Sequence, residues 1–83
     1  MTKSEWQSTM RVTDDFDWAK DVFGNCDEDT SDWAHVLEYE SGIIVKLKDG
    51  RFYSVIGNTD YTSNSLSVVE NHLWHDFASH EVY

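Results

Sequence analysis

The sequence predicts an α+β domain in which a helix, a three-stranded antiparallel β-meander and a second helix follow one another, with the helices packed on one face of the sheet. Two segments carry apolar residues at helical spacing, one in each half of the chain. The segment between them alternates apolar and polar residues, and Ser41-Gly42 and Asp49-Gly50 interrupt it as turns. The 83 residues fit a single domain, 1–83.

The first helix is predicted over residues 14–23. Thr13 and Asp14 form a helix start, and Gly24-Asn25 supplies a C-terminal stop. The residues that recur at helical spacing are Phe16, Ala19, Val22 and Phe23. Residues 1–12, which precede this helix, are left open between a loosely ordered arm, a short strand and a helix. Residues 25–32 are polar and are predicted as a loop.

Three strands are predicted next, over residues 33–40, 43–48 and 51–56. An Asp-Gly dipeptide between alternating runs is a strong hairpin signal, and a two-residue turn is expected at Asp49-Gly50. That turn would place six residues on one core face, as the cross-strand pairs Leu47–Phe52, Val45–Ser54 and Ile43–Ile56. Residues 57–63 are predicted as a loop.

The second helix is predicted over residues 65–78, with Asn64 or Ser65 as its N-cap. Its buried stripe is expected to contain Leu66, Val69, Leu73 and Phe77. The opposite side then carries Val68, His72 and His75.

The charge is the most unusual property of the composition. Sixteen acidic residues face six Lys and Arg, which gives a net charge of −10. Phosphate backbones are bound by Lys and Arg, so this balance excludes direct nucleic-acid binding and disfavours an anionic membrane surface. It favours a basic protein as partner. Monomer and homodimer are not distinguished.

Cysteine use and hydropathy predict a cytoplasmic protein. Cys26 is the only cysteine, so no intramolecular disulfide can form. Residues 1–11 lack the apolar core of a signal peptide, and no apolar run approaches the ~20 residues of a membrane span.

An acidic belt with one tryptophan is the candidate partner-binding site. On the predicted helix Asp14, Asp17 and Asp21 share a stripe opposite the apolar face. Trp18 would act as an anchor beside the carboxylates. The alternative is a solvated helix face whose N-terminal acids are favoured by the helix dipole. The belt's carboxylates are Asp14, Asp15, Asp17, Asp21, Asp27, Glu28, Asp29 and Asp32.

Other clusters offer weaker alternatives. Residues Asp27 to Glu38 place oxygen-bearing side chains at several calcium-loop positions, but Asp32 stands where that loop needs glycine. His72, His75 and His80 could bind a transition metal weakly. No catalytic or cofactor motif is present, so neither an enzyme nor a cofactor is predicted. Lys46, Lys48 and Arg51 form a basic patch, expected mainly to protect a strand edge.

The meander VLEYESGIIVKLKDGRFYSVIG and the helix NSLSVVENHLWHDFAS complete a short acidic chain. In charge and in order of elements, this chain resembles phage-encoded anti-CRISPR proteins, and most of all the small inhibitors that mimic the DNA next to the target. The resemblance implies a stoichiometric inhibitor that acts in a host bacterial cell and occupies the positively charged DNA-binding groove of a CRISPR effector or nuclease. An immunity or antitoxin protein that blocks a basic toxin nuclease is the second hypothesis, and a small metal-binding protein is the third.

Overall fold

The computed structural model describes residues 2–24 and 29–81. Within them, three helices and five strands follow one another: α1 (Lys3–Ser8), β1 (Arg11–Thr13), α2 (Phe16–Phe23), β2 (Trp33–Tyr39), β3 (Gly42–Leu47), β4 (Phe52–Ile56), β5 (Thr59–Ser63) and α3 (Leu66–Glu81). The strands form one antiparallel meander in the order β1-β2-β3-β4-β5. The α+β class is confirmed, but the described sheet has five strands where three were predicted.

The two additional strands lie at the edges of the sheet. β5 pairs with β4 across Gly57-Asn58, so that Ile56 lies opposite Thr59 and Gly57 takes a φ of +63°. The prediction of a loop over residues 57–63 is therefore wrong. At the other edge β1 pairs with β2, with Val12 opposite Leu37. The N-terminal segment that the sequence left open thus contains both a helix and a strand.

The β3–β4 hairpin has a different register from the predicted one. The Leu47 backbone N–H donates to the Arg51 carbonyl at 2.8 Å, so the loop has three residues, and Gly50 adopts a φ of +93°. Val45 consequently lies opposite Tyr53, not opposite Ser54. A shift of one residue moves a strand's side chains to the other face, which overturns the predicted common face of β3 and β4.

The sheet is covered on both faces, which corrects the prediction of helices on one face. Successive strand residues point to opposite sides, and the neighbours Ile43 and Ile44 belong to different core clusters. The α2 cluster contains Ala19, Trp33, Val36, Ile43 and Val45. The α1/α3 cluster contains Trp6, Leu37, Tyr39, Ile44, Val69 and Leu73.

Two cores explain why so small a domain has four tryptophans. Trp6 is fully buried in the α1/α3 cluster, where its ring stacks on Tyr39 at 4.5 Å between centroids. Trp33 belongs to the α2 cluster, where it forms T-shaped contacts with Phe16 and Phe23. The other two tryptophans pack at the periphery, Trp18 on the α2 cluster and Trp74 on the α1/α3 cluster.

Candidate functional site

The described carboxylates of the acidic belt lie before, on and after α2. This helix is shorter than predicted because its N-cap is Asp15, whose carboxylate accepts a hydrogen bond from the Trp18 backbone N–H at 3.1 Å. An aspartate in this position satisfies one of the unpaired N–H groups of the first turn. Gly24 ends the helix in the left-handed conformation, as predicted.

Asp14 lies outside the helix, so the predicted stripe of three aspartates contains two helical members. The Asp14 carboxylate instead meets a histidine of β2, with Asp14 Oδ1 3.1 Å from His35 Nδ1. Both side chains remain exposed, at 76% and 52%. The sequence alone gave no sign of this contact, because it joins residues 21 positions apart through the pairing of β1 with β2.

Asp17 and Asp21 lie one turn apart on the side of α2 that faces away from the sheet. The opposite side is fixed by Ala19, which is fully buried in the α2 cluster. The two aspartates are separated by about 6 Å along the axis at 1.5 Å per residue. The Asp17 side chain is 95% exposed, and the Lys20 ammonium lies 3.6 Å from it. This pair of carboxylates forms the outward-facing part of the predicted stripe.

Trp18 is anchored and only partly accessible. It is half-buried and packs against the α2 cluster. A rigid aromatic side chain beside carboxylates can contribute apolar contact area at a protein interface. Trp18 follows Asp17 in α2, and its role as an interface anchor stays a prediction.

Asp29 and Asp32 border a cleft between the segment before β2 and the β3–β4 hairpin. The cleft has a volume of about 370 Å³, and Trp33, Lys48 and Arg51 also line it. The Lys48 backbone N–H donates to the Asp32 carbonyl at 2.8 Å, which fixes the hairpin loop to this segment. Hydrogen bonds from Ser31, first from its backbone N–H, lower the pKa of Asp29 and keep its carboxylate charged. Asp27 and Glu28 lie outside the described residues.

The basic patch lies at the hairpin end of the sheet, next to this cleft. Arg51 bonds to Asp49 through its side chain at 2.8 Å, and hydrogen bonds from the Arg51 backbone and guanidinium lower the pKa of Asp49. Lys46 lies on β3 opposite Phe52. The patch thus belongs to one end of the molecule, and part of its charge is balanced locally by Asp49.

The calcium-loop alternative does not match the local structure. An EF-hand loop is followed by a helix, whereas residues 33–39 form strand β2. Two residues within the proposed loop have other partners: His35 meets Asp14, and Glu38 accepts a hydrogen bond from Arg11 at 2.8 Å.

His72 and His75 belong to no metal site that the described residues could form. His72 stacks on Tyr61 at 4.1 Å between centroids, and His80 follows in the same helix. Across residues 2–24 and 29–81, no group of three or more His, Cys, Asp or Glu side chains could hold a metal ion.

Comparisons with known protein families, with curated proteins and with solved structures found no match. Among the helices in the described ranges, none combines the length and the apolar character that a membrane crossing requires. The assignment of a function therefore depends on the charges and contacts of this chain alone.

Proposed function

We propose that this protein is a non-catalytic inhibitor that binds the cation-lined nucleic-acid groove of a bacterial CRISPR effector or nuclease. Its acidic surface takes the place of the nucleic acid. The observation that carries the proposal is the match between its charge and its length. The Cα atoms span 38 Å along the longest axis, and the net charge is −10. Over 38 Å a single nucleic-acid strand carries about 11 phosphates, at ~3.4 Å each.

The placement of the carboxylates on α2 supports the proposal. Asp17 and Asp21 are held on a helix whose ends are capped and whose inner side is packed on the sheet. Carboxylates on such a support lose little freedom when a partner's arginines bind them. The arginine fork pairs with a carboxylate in the same geometry as with a phosphate.

The protein's own cations do not prevent this binding. Within the described residues, Lys and Arg ion pairs are seen for Asp17, Glu38 and Asp49. These pairs are solvent-exposed on at least one side, and exposed pairs contribute only about 0–1 kcal/mol each. A partner that presents several fixed cations can therefore displace them.

The test is displacement of labelled duplex DNA from a panel of purified CRISPR effectors and toxin nucleases, followed by fluorescence anisotropy. We expect the protein to displace DNA from at least one member. The inhibition constant should weaken by about tenfold or more between ~50 and ~200 mM salt, because several charges are neutralised in the interface. A toxin nuclease as the sole target would favour the immunity hypothesis. Failure to displace DNA from any member would contradict the proposal.

Paired variants locate the binding surface. The double variant Asp17→Asn/Asp21→Asn should weaken displacement by about 3–10-fold, since each charge at an interface contributes up to ~1 kcal/mol. The control is Glu40→Gln/Asp60→Asn, which removes the same charge from two exposed positions that are not part of α2. Equal losses in both variants would show that α2 is not the contact surface.

A further inference from the structure

The sheet ends on one side in a strand whose outer edge is open. β5 is the last strand in the order β1-β2-β3-β4-β5, and in the part of the chain that the structure describes no strand pairs with its other side. Edge strands are commonly kept from pairing by being very short, by a bulge, by proline or by lysine. β1, at the opposite edge, has three residues. β5 has five residues, a continuous register with β4, and Asp60 as its one charged residue.

The pairing with β4 fixes which backbone groups of β5 point outward. The two strands are joined by a two-residue turn, and such a turn is closed by a hydrogen-bonded pair of residues, here Ile56 and Thr59. Bonded and non-bonded pairs alternate along an antiparallel ladder. Tyr61 is therefore bonded to β4, whereas the N–H and C=O groups of its neighbours Asp60 and Thr62 face away from the sheet.

This edge is complementary to a second copy of itself. Antiparallel pairing across a two-fold axis at Tyr61, the middle residue of β5, places all five residues of one strand opposite those of the other. Asp60 then lies opposite Thr62 of the second copy, so the outward-facing backbone groups of both strands meet and exchange hydrogen bonds. A shift that placed Asp60 opposite Asp60 would bring like charges together, which destabilises a cross-strand pair.

The helix beside this edge adds contact surface. Tyr61 is half-buried and stacks on His72 of α3. Val68 precedes His72 by about one turn, so it lies on the same side of α3, and it is 45% exposed. At the two-fold axis the Tyr61 residues of both copies form a non-hydrogen-bonded pair, in which side chains approach more closely than in a bonded pair. An aromatic and apolar strip therefore flanks the open edge.

We infer that two copies of this chain associate through β5, so that their five-stranded sheets form one continuous antiparallel sheet. The two-fold axis is perpendicular to the sheet, and both copies therefore present α2 on the same face. This inference goes beyond the proposed function and does not depend on it. The net charge of −10 on each copy opposes the association. Salt should therefore favour the dimer, whereas it weakens binding to a cation-lined groove.

The test is sedimentation equilibrium of the full chain, with amide NMR spectra recorded over the same concentrations. At ~0.5 M NaCl the average mass should rise toward that of a dimer as the protein approaches about 1 mM, and at ~0.05 M NaCl the association should be weaker by about threefold or more. The amide signals of Asp60 and Thr62 should shift with concentration. A chain that stays monomeric under both conditions, or whose shifts lie away from β5, would overturn the inference and leave the edge to an extended segment of another protein.

A proline variant tests the outward-facing N–H group. Thr62→Pro removes this donor, and the β4–β5 ladder should remain because the donor faces away from β4. Dimerisation should weaken by about tenfold or more, since one hydrogen bond is lost in each copy. Thr62→Ala, which loses the side chain but keeps the N–H, should change dimerisation by less than about threefold. Equal dimerisation of the two variants would contradict pairing through this edge.

Charged variants at the same position test the register. Thr62→Lys places a cation opposite Asp60 of the second copy and should tighten the dimer by about 3–10-fold, because two opposite-charge pairs form, and Thr62→Glu should weaken it by a similar factor. The matched controls, Ser4→Lys and Ser4→Glu, make the same changes of net charge at an exposed position of α1. Effects of equal size at positions 62 and 4 would mean that net charge alone acts, and the assigned pairing would be wrong.

Discussion

At the scale of single residues, neighbouring carboxylates of the acidic belt have different structural roles. Asp15 caps α2 through the Trp18 N–H, whereas Asp17 is almost fully exposed. Replacing an N-cap aspartate costs about 0.5–2 kcal/mol of stability, so a binding defect of an Asp15 variant could not be separated from partial unfolding. Asp17 and Asp21 are therefore the informative positions for a binding test. The sequence placed all of these acids in one belt, but it could not distinguish the cap from the surface.

Tyr39 provides a pH-dependent prediction at the same scale. Its hydroxyl donates to Glu70 at 2.6 Å, and burial, followed by that hydrogen bond and the charge of Glu70, raises the pKa of Tyr39. In the unfolded chain a tyrosine ionises near pH 10. Above that pH the unfolded state loses a proton that the folded state keeps. The stability that this group contributes is therefore fully present below about pH 10 and is lost as the pH rises further.

The measurement is the free energy of urea unfolding between about pH 8 and 11. Above pH 10, the free energy of unfolding of Tyr39→Phe should fall less steeply than that of the parent, by up to ~1 kcal/mol per pH unit. The variant should also be less stable at neutral pH, because Glu70 loses a partner. Tyr61→Phe is the control, since Tyr61 stacks on His72 at the surface. An alkaline decline that is the same in all three proteins would show that Tyr39 does not titrate differently on folding.

At the scale of elements, the sequence predicted the position of the β3–β4 turn better than its length and the register that follows from it. Asp49-Gly50 correctly marks a hairpin, because glycine is the residue that takes a positive φ without strain. The same dipeptide fits a two-residue turn and the last two positions of a three-residue loop. The two choices differ by one residue in register, and so they exchange the faces of the sheet on which Phe52 and Tyr53 lie. The local sequence does not decide between them; the two-sided packing of the sheet does.

The missed elements differ in how much signal the sequence contains. β1 has three residues and leaves Val12 58% exposed, so it shows no alternation that a pattern could detect. α1 has one buried residue, Trp6, although Thr2 and Glu5 form a capping box that the spacing of the sequence contains. β5 also had a signal, because Gly57-Asn58 precedes Thr and Tyr residues that favour strands. By contrast, the stripe of α3 was predicted well, since four residues of regular spacing pack on one cluster.

Gly50 allows the hairpin loop to be tested directly. Gly50→Ala should destabilise the fold by about 1–2 kcal/mol, because a Cβ is strained at a φ of +93° although the space around it is open. Gly50→Asn should cost clearly less, since asparagine tolerates the left-handed region. Urea midpoints at constant m-value provide the measurement. Equal costs for alanine and asparagine would mean that the positive φ is not maintained in solution.

At the scale of the whole molecule, the excess of negative charge affects folding and binding in opposite ways. A net charge of −10 on 83 residues repels itself in the folded state. The same charge is what a cation-lined groove would recognise under the proposed function. The sequence alone gives the size of this excess, but not how far internal pairs reduce it. The ion pairs seen for Asp17, Glu38 and Asp49 are exposed on at least one side, and such pairs contribute only about 0–1 kcal/mol each, so we expect repulsion to dominate the electrostatic part of stability.

The salt dependence of stability and of binding therefore tests both effects of the negative charge. Raising NaCl from about 20 to about 500 mM at pH 7 should increase the thermal midpoint by roughly 5 °C, since screening of repulsion worth ~1 kcal/mol shifts a domain of this size by about 4–8 °C. Over the same range the binding to a basic partner should weaken. A control with Glu40→Gln/Asp60→Asn should show a smaller rise, because less repulsion remains to be screened. If the midpoint instead falls with salt, attractive ion pairs dominate, and the carboxylates are then too well neutralised to imitate a phosphate strand. If it rises while binding weakens, loss of binding at high salt cannot be attributed to unfolding, and it reports the charge of the interface.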